Sequence, residues 1–181
     1  MHSKTAVIAA AAIASLIPSA LAGTASIKNQ CKDTAYLWSI AGSAGEDMIT
    51  LKSGETYSEE YRKNGNGGGL SIKIALDKHQ NDVSQFEYTL SDSEDKVYYD
   101  LSNIDGYPFK EGGISITPSD PDCPTVTCPA GEGTCKEAYN QPYDDHATHG
   151  CPIESDLAMV LCPDGSPKAA RTVSHPHWRQ A

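Results

Sequence analysis

Apolar residues in this chain recur at every second position over short stretches, and almost nowhere at the spacing of a helix. Ser71-Ile72-Lys73-Ile74 is a clear case, alternating as a strand with one buried face should. Runs with strand composition cover residues 25–29, 35–40, 48–51, 55–61, 70–76, 85–90, 97–102, 114–117 and 157–162. Turn-forming residues divide them, including Lys52-Ser53-Gly54, the glycine-rich 64–69 and Ile104-Asp105-Gly106. Short strands with turns at regular spacing predict an all-β sandwich or barrel. The glycines at 65–69 lack the Gly-Lys-Ser/Thr ending of a phosphate loop, and no helical pattern follows them. They read as the flexible tip of a hairpin.

The most specific pattern lies at 84–109. Two runs, 84–90 and 97–102, flank a polar turn at 91–96. Pairing Leu90 with Val97 sets Tyr88 opposite Tyr99 and Phe86 opposite Leu101, an all-apolar face. The same register sets Glu87 against Asp100 on the other face, and Asp105 follows in the next turn. Like charges facing each other across a sheet are destabilising, so their presence points to a use other than stability. The competing reading is a solvated outer face, where acids are common.

Composition narrows the setting. Lys4, an apolar run over 6–17 and Ser19-Ala20-Leu21-Ala22 have the form of a secretory signal, predicting cleavage after Ala22. That run is too short to span a bilayer, and no later segment is long and apolar enough to do so. The C-terminus lacks the hydrophobic tail of a lipid-anchor signal. The expected organisation is a signal peptide at 1–22, one domain at 23–162, and a flexible tail at 163–181. Losing Lys4 with the leader takes the net charge of −10 to −11. Such acidity argues against nucleic acid and anionic membranes as partners, and suits neutral sugars, basic proteins or cations.

All six cysteines lie after the leader, and five fall within 123–162. An even count in an exported chain reads as disulfides rather than metal ligands, with 15 pairings open. No Asn-x-Ser/Thr sequon is present.

Several stretches together resemble one family. Ala25-Ser26-Ile27-Lys28-Asn29-Gln30-Cys31, Phe86-Glu87-Tyr88-Thr89-Leu90 and Tyr99-Asp100-Leu101-Ser102-Asn103-Ile104-Asp105-Gly106-Tyr107 are similar to segments of thaumatin-like proteins. Cys123-Pro124-Thr125-Val126-Thr127-Cys128 and Val160-Leu161-Cys162-Pro163 fit as well. The likeness is to the small secreted fungal type, antigenic or yeast-phase-specific, and covers nearly all of 25–162. It implies a thaumatin-like β-sandwich with a reduced, disulfide-stapled loop subdomain. It also implies the bridges Cys31–Cys162, Cys123–Cys151 and Cys128–Cys135. Larger members carry an acidic cleft; Glu87, Asp100 and Asp105 match its glutamate and two of its aspartates, and Arg62 stands for its arginine.

Paired carboxyls at strand-to-strand distance could hydrolyse glycosides, with Glu87 as proton donor and Asp100 or Asp105 as nucleophile or base. Tyr98 and Tyr107 could supply a stacking platform. A reduced subdomain would leave one cleft wall low and water poorly excluded, so binding is expected ahead of catalysis. His146 and His149, with Asp144 and Asp145 nearby, have spacing compatible with zinc or copper. Loop histidines beside a disulfide are more ordinarily solvated, so neither a metal nor another cofactor is expected. The resulting expectation is a secreted or wall-associated protein that binds cell-wall β-glucan through an acidic groove, with an antigenic or antifungal role. A weak endo-β-1,3-glucanase and an effector or adhesin binding a host surface protein are the alternatives.

Overall fold

The two-residue alternation builds eleven strands in a computed structural model that describes residues 23–42 and 47–165. The expected leader at 1–22, and the expected tail from 166 onward, lie outside the described residues. In chain order the strands begin with β1 (Thr24–Asn29), β2 (Ala35–Ile40), β3 (Ile49–Leu51), β4 (Thr56–Glu60) and β5 (Leu70–Ala75). They continue with β6 (Ser84–Ser91), β7 (Lys96–Ser102), β8 (Ile114–Pro118), β9 (Val126–Cys128), β10 (His149–Pro152) and β11 (Leu157–Leu161). A short 3-10 turn at Asp145–Ala147 precedes β10. Among the described residues no helix is long and apolar enough to cross a membrane.

The strands form two sheets. One has the order β4-β1-β11-β8-β9, the other β10-β7-β6-β5-β2-β3. The first and last strands, β1 and β11, run parallel side by side; the other strand pairings are antiparallel. Between the sheets Ile27, Leu37, Ile72, Ile74, Phe86, Leu101, Ile114, Ile116, Leu157 and Met159 are fully buried. This is the all-β sandwich that the alternation predicts. The disulfides join Cys31 to Cys162, Cys123 to Cys151 and Cys128 to Cys135. The first ties together the ends of the two parallel strands.

Glu59 is the polar tie between the layers. It stands on β4, yet its carboxylate accepts hydrogen bonds of 2.7 Å from Ser39 on β2, Tyr88 on β6 and its neighbour Tyr57. The Arg62 guanidinium lies 3.6 Å from the same carboxylate and donates to the Ser39 carbonyl at 2.8 Å. Burial, then the Glu59 contact, pushes Tyr57 up to about 12 and Tyr88 higher still. Both phenols therefore keep the protons with which they donate.

Two features depart from expectation. The glycine-rich segment after β4 is no hairpin tip: β4 and β5 belong to different sheets, so 61–69 carries the chain from one layer to the other. Tyr61 anchors that crossing, with its ring 5.1 Å from the Tyr88 ring and its hydroxyl donating to the Ser155 carbonyl. Strands β9 and β10 also arise inside the stapled region, which the sequence presents as loops. Three and four residues long, with Gly150 and Pro152 interrupting the pattern, they form by pairing with β8 and β7.

Replacing Cys31 and Cys162 by serine should cost about 4–5 kcal/mol in denaturant unfolding, because that bridge closes a separation of 131 residues. Removing Cys128–Cys135, which closes only 7, should cost about 2 kcal/mol in the same measurement.

Candidate functional site

Burying Phe86, Tyr88, Tyr99 and Leu101 sends the intervening residues of β6 and β7 to the outer face of the six-stranded sheet. Strand register then lines up one row across four strands. Asp100 faces Glu87, Glu87 faces Ser71, and Ser71 faces Ile40. The next row reads Ser102, Gln85, Lys73 and Trp38. The first row lies along a shallow groove of about 390 Å³, whose walls also include Gly42, Asn64, Gly69 and Thr89. A β-carbon on Gly69 would run into the Thr89 hydroxyl and lie 3.0 Å from the Tyr88 carbonyl, so a larger residue would have to displace that wall.

Hydrogen bonds extend the row sideways. The Ser71 hydroxyl donates to Gln85 at 3.0 Å, and the Gln85 amide donates to Asp105 at 3.3 Å. The three carboxyl groups singled out from the sequence therefore share one face. Glu87 and Asp100 are register partners on adjacent strands, and Asp105 stands at the end of the chain of bonds.

The electrostatics of the pair follow from burial and like charge. Burial, then the Glu87 charge, lifts Asp100 to about 7. Burial also raises Glu87, with the Asp105 charge adding to it, while Ser71 and Lys73 act the other way. Asp100 Oδ1 is buried and has no protein hydrogen-bond partner. Burial raises both members, and Asp100 also has the Glu87 charge beside it, so the pair keeps a proton to a higher pH than exposed carboxyls would.

Other expected site residues lie elsewhere. Arg62 is engaged with Ser39 and Glu59 and lines a smaller adjoining recess of about 170 Å³ with Lys63 and Asn64. That recess shares Asn64, Leu70 and Thr89 with the groove of the carboxyl row. Tyr98 points outward, but its hydroxyl bonds Glu94 at 2.6 Å and its ring covers Gly150. Tyr107 packs against the core with its hydroxyl buried, and burial pushes it up to about 12. The two tyrosines therefore build no common platform on the groove.

His146 contacts the Lys136 carbonyl at 3.1 Å; His149 lies on β10 with its ring 5.7 Å from Tyr99, and burial lowers it. Among the described residues, three potential metal donors gather only at Asp120, Cys123 and Cys151, and those two cysteines are bonded to each other.

The sequence reading omitted Ile40, Ser71, Lys73, Gln85 and Asn64. It also omitted an apolar strip beside the carboxyls, where Trp38, Ala75 and Val83 are buried and Tyr36 and Ile40 half-buried. The signal was present in the alternation of β2 and β5. It becomes usable only once their pairing partners are known.

Comparison with known proteins agrees with this architecture. Residues 11–163 match the family model described as Bys1, Blastomyces yeast-phase-specific protein. An antigenic thaumatin-like protein of Arthroderma benhamiae is 60% identical over 195 residues, covering 99% of each chain. The secreted thaumatin-like protein calA of Emericella nidulans is 37% identical, covering 80% of this chain and 84% of its own. Among solved structures, the protein elicitor MoHrip2 from Magnaporthe oryzae aligns with a TM-score of 0.66 at 29% identity, over 78% of this chain and 99% of its own.

Asp100 ties the site to stability. In the unfolded chain its carboxyl ionises near its ordinary value of 3.8, whereas the folded form holds the proton to about 7. Between those limits the native state binds more protons than the unfolded state, so stability must fall as pH rises through the window. The loss should be on the order of 4 kcal/mol, and the raised Glu87 acts in the same direction. Denaturant unfolding across that range should show the decline in the wild type and a much flatter profile in Asp100→Asn.

Proposed function

The chain belongs to the Blastomyces yeast-phase-specific (Bys1) family of thaumatin-like proteins, and on that premise we propose that it is a secreted protein binding cell-wall β-glucan through the groove of Glu87, Asp100 and Asp105. The secreted setting is supported by relatives named as secreted or antigenic thaumatin-like proteins. One observation carries the ligand assignment. The row Asp100, Glu87, Ser71 and Ile40 sets carboxyl and hydroxyl groups beside an aliphatic side chain. A pyranose ring needs that combination, offering hydroxyls at its edge and C–H groups on its face. The open groove runs across the strands along this row.

Hydrolysis is the weaker reading of the same row. Facing strand residues hold their β-carbons about 4.5–5.5 Å apart, which suits a retaining pair. The groove is shallow, however, and supplies little to exclude water from a reacting bond.

A second reading rests on Tyr143, which is 89% exposed. Its loop is pinned where the Asp144 carboxylate accepts the backbone N–H groups of Asn140 and Gln141, both at 2.9 Å. A fixed, projecting tyrosine suits contact with another protein, and one solved relative is described as a protein elicitor.

Sedimentation with insoluble β-1,3-glucan tests these readings together. Wild-type protein should be retained without release of reducing sugar, and Glu87→Ala or Asp100→Ala should weaken retention by roughly tenfold or more. Sugar release that disappears in both variants would favour the hydrolase. Retention indifferent to both, with partner binding lost in Tyr143→Ala, would favour the protein-contact reading.

A further inference from the structure

The groove holds an arrangement that decides what kind of glycan it accepts. Glu87 and Asp100 face each other across a strand pair, on the same outward side. From every packed element the charged and titratable groups around them are few. β6 contributes Glu87, β5 contributes Lys73 beside the neutral Ser71, and the turn after β7 contributes Asp105. The loop before β10 contributes the Tyr139 phenol, which feels the Asp100 charge and bonds Thr148 and Asp145. On β10 itself, His149 lies against Tyr99 on the other face. The Lys73 charge eases ionisation of Glu87, and the Asp105 charge opposes it. Asp100 Oδ1 has no protein donor to steady a negative charge.

Two ionised carboxylates cannot be held in this setting without strong repulsion, and two neutral acids would forgo the support of Lys73 and Ser71. We propose that Glu87 and Asp100 share a single proton, and that this singly protonated pair is the form that binds, selecting an uncharged, hydroxyl-rich glycan over an anionic or cationic one. The proposal rests on the groove reading above and adds the ligand's charge class. With one proton the pair offers an O–H donor beside carboxylate acceptors, matching a sugar hydroxyl that both donates and accepts. Once that proton leaves, only acceptors remain, and they repel each other and any anionic sugar. A cationic polymer would show the opposite preference, binding better as the second charge appears.

Asp100 titrates at about 7, so the competent fraction falls steadily above neutrality. Affinity for neutral β-1,3-glucan should drop roughly tenfold or more between about pH 5.5 and pH 8.5. The test measures binding of the full chain to neutral β-1,3-glucan, and to a quaternised polyglucosamine that keeps its charge at every pH, across that range. Carboxyl carbon NMR of Asp100 follows the proton directly. The expected result is glucan binding that fades with rising pH, Asp100→Asn retaining glucan at the alkaline end where wild type releases it, and an Asp100 titration that moves down in Glu87→Gln. Glucan binding that is flat with pH overturns the shared-proton proposal while leaving the groove reading in place. Tighter capture of the cationic polymer with rising pH, exceeding that of glucan, overturns the ligand class. No glucan binding at any pH overturns both readings. An Asp100 titration unmoved by Glu87→Gln overturns the proton sharing whatever the binding shows.

Discussion

The interlocking of four large side chains across β6 and β7 governs this molecule. Phe86, Tyr88, Tyr99 and Leu101 are all buried between the sheets, in register with one another. A slip of one residue would turn them outward and carry Glu87 and Asp100 into the core. The hydrophobic stabilisation of the sandwich is therefore the same constraint that holds the carboxyls together on the outer face. Repulsion between two acids is small beside the burial of four such side chains. Glu59 adds a polar tie, gathering Ser39, Tyr57 and Tyr88 onto one carboxylate that bridges the layers.

What the sequence disclosed follows the range of the interactions concerned. The β6–β7 hairpin is local, so its alternation alone gave the Glu87–Asp100 pairing later seen in the strands. Ser71 and Ile40 join that row only through pairings of β5 with β6 and β2 with β5, which no nearby residue encodes. Arg62 illustrates the same limit. Its family position suggested the groove, while its contacts with Ser39 on one sheet and Glu59 on the other come from chain segments far apart in sequence. Tyr107 lies past the Asp105–Gly106 turn, where strand alternation no longer predicts direction, and it packs against the core. Strand β9 is too short, and β10 both short and broken by Gly150 and Pro152, to announce themselves.

The site also bears on the relation between binding and folding. Asp100 is held where ionisation is costly, and that cost falls on the native state alone. A chain selected only for stability would place an apolar or singly polar pair at these positions. Ile40 is shared between the groove and the apolar strip of Trp38, Ala75 and Val83, which adds burial without itself titrating.

The bridge between Cys31 and Cys162 gains a separate meaning from the path of the chain between the sheets. The crossing at 65–69 is exposed and rich in glycine, the kind of segment where an extracellular protease cuts first. A cut there would divide β1–β4 from β5–β11, yet each piece contributes strands to both sheets. Strand β1 stays clasped between β4 and β11, β2 stays clasped between β3 and β5, and the two fragments remain covalently joined. Nicked molecules would thus keep their shape and their carboxyl row, a form of durability suited to life outside the cell.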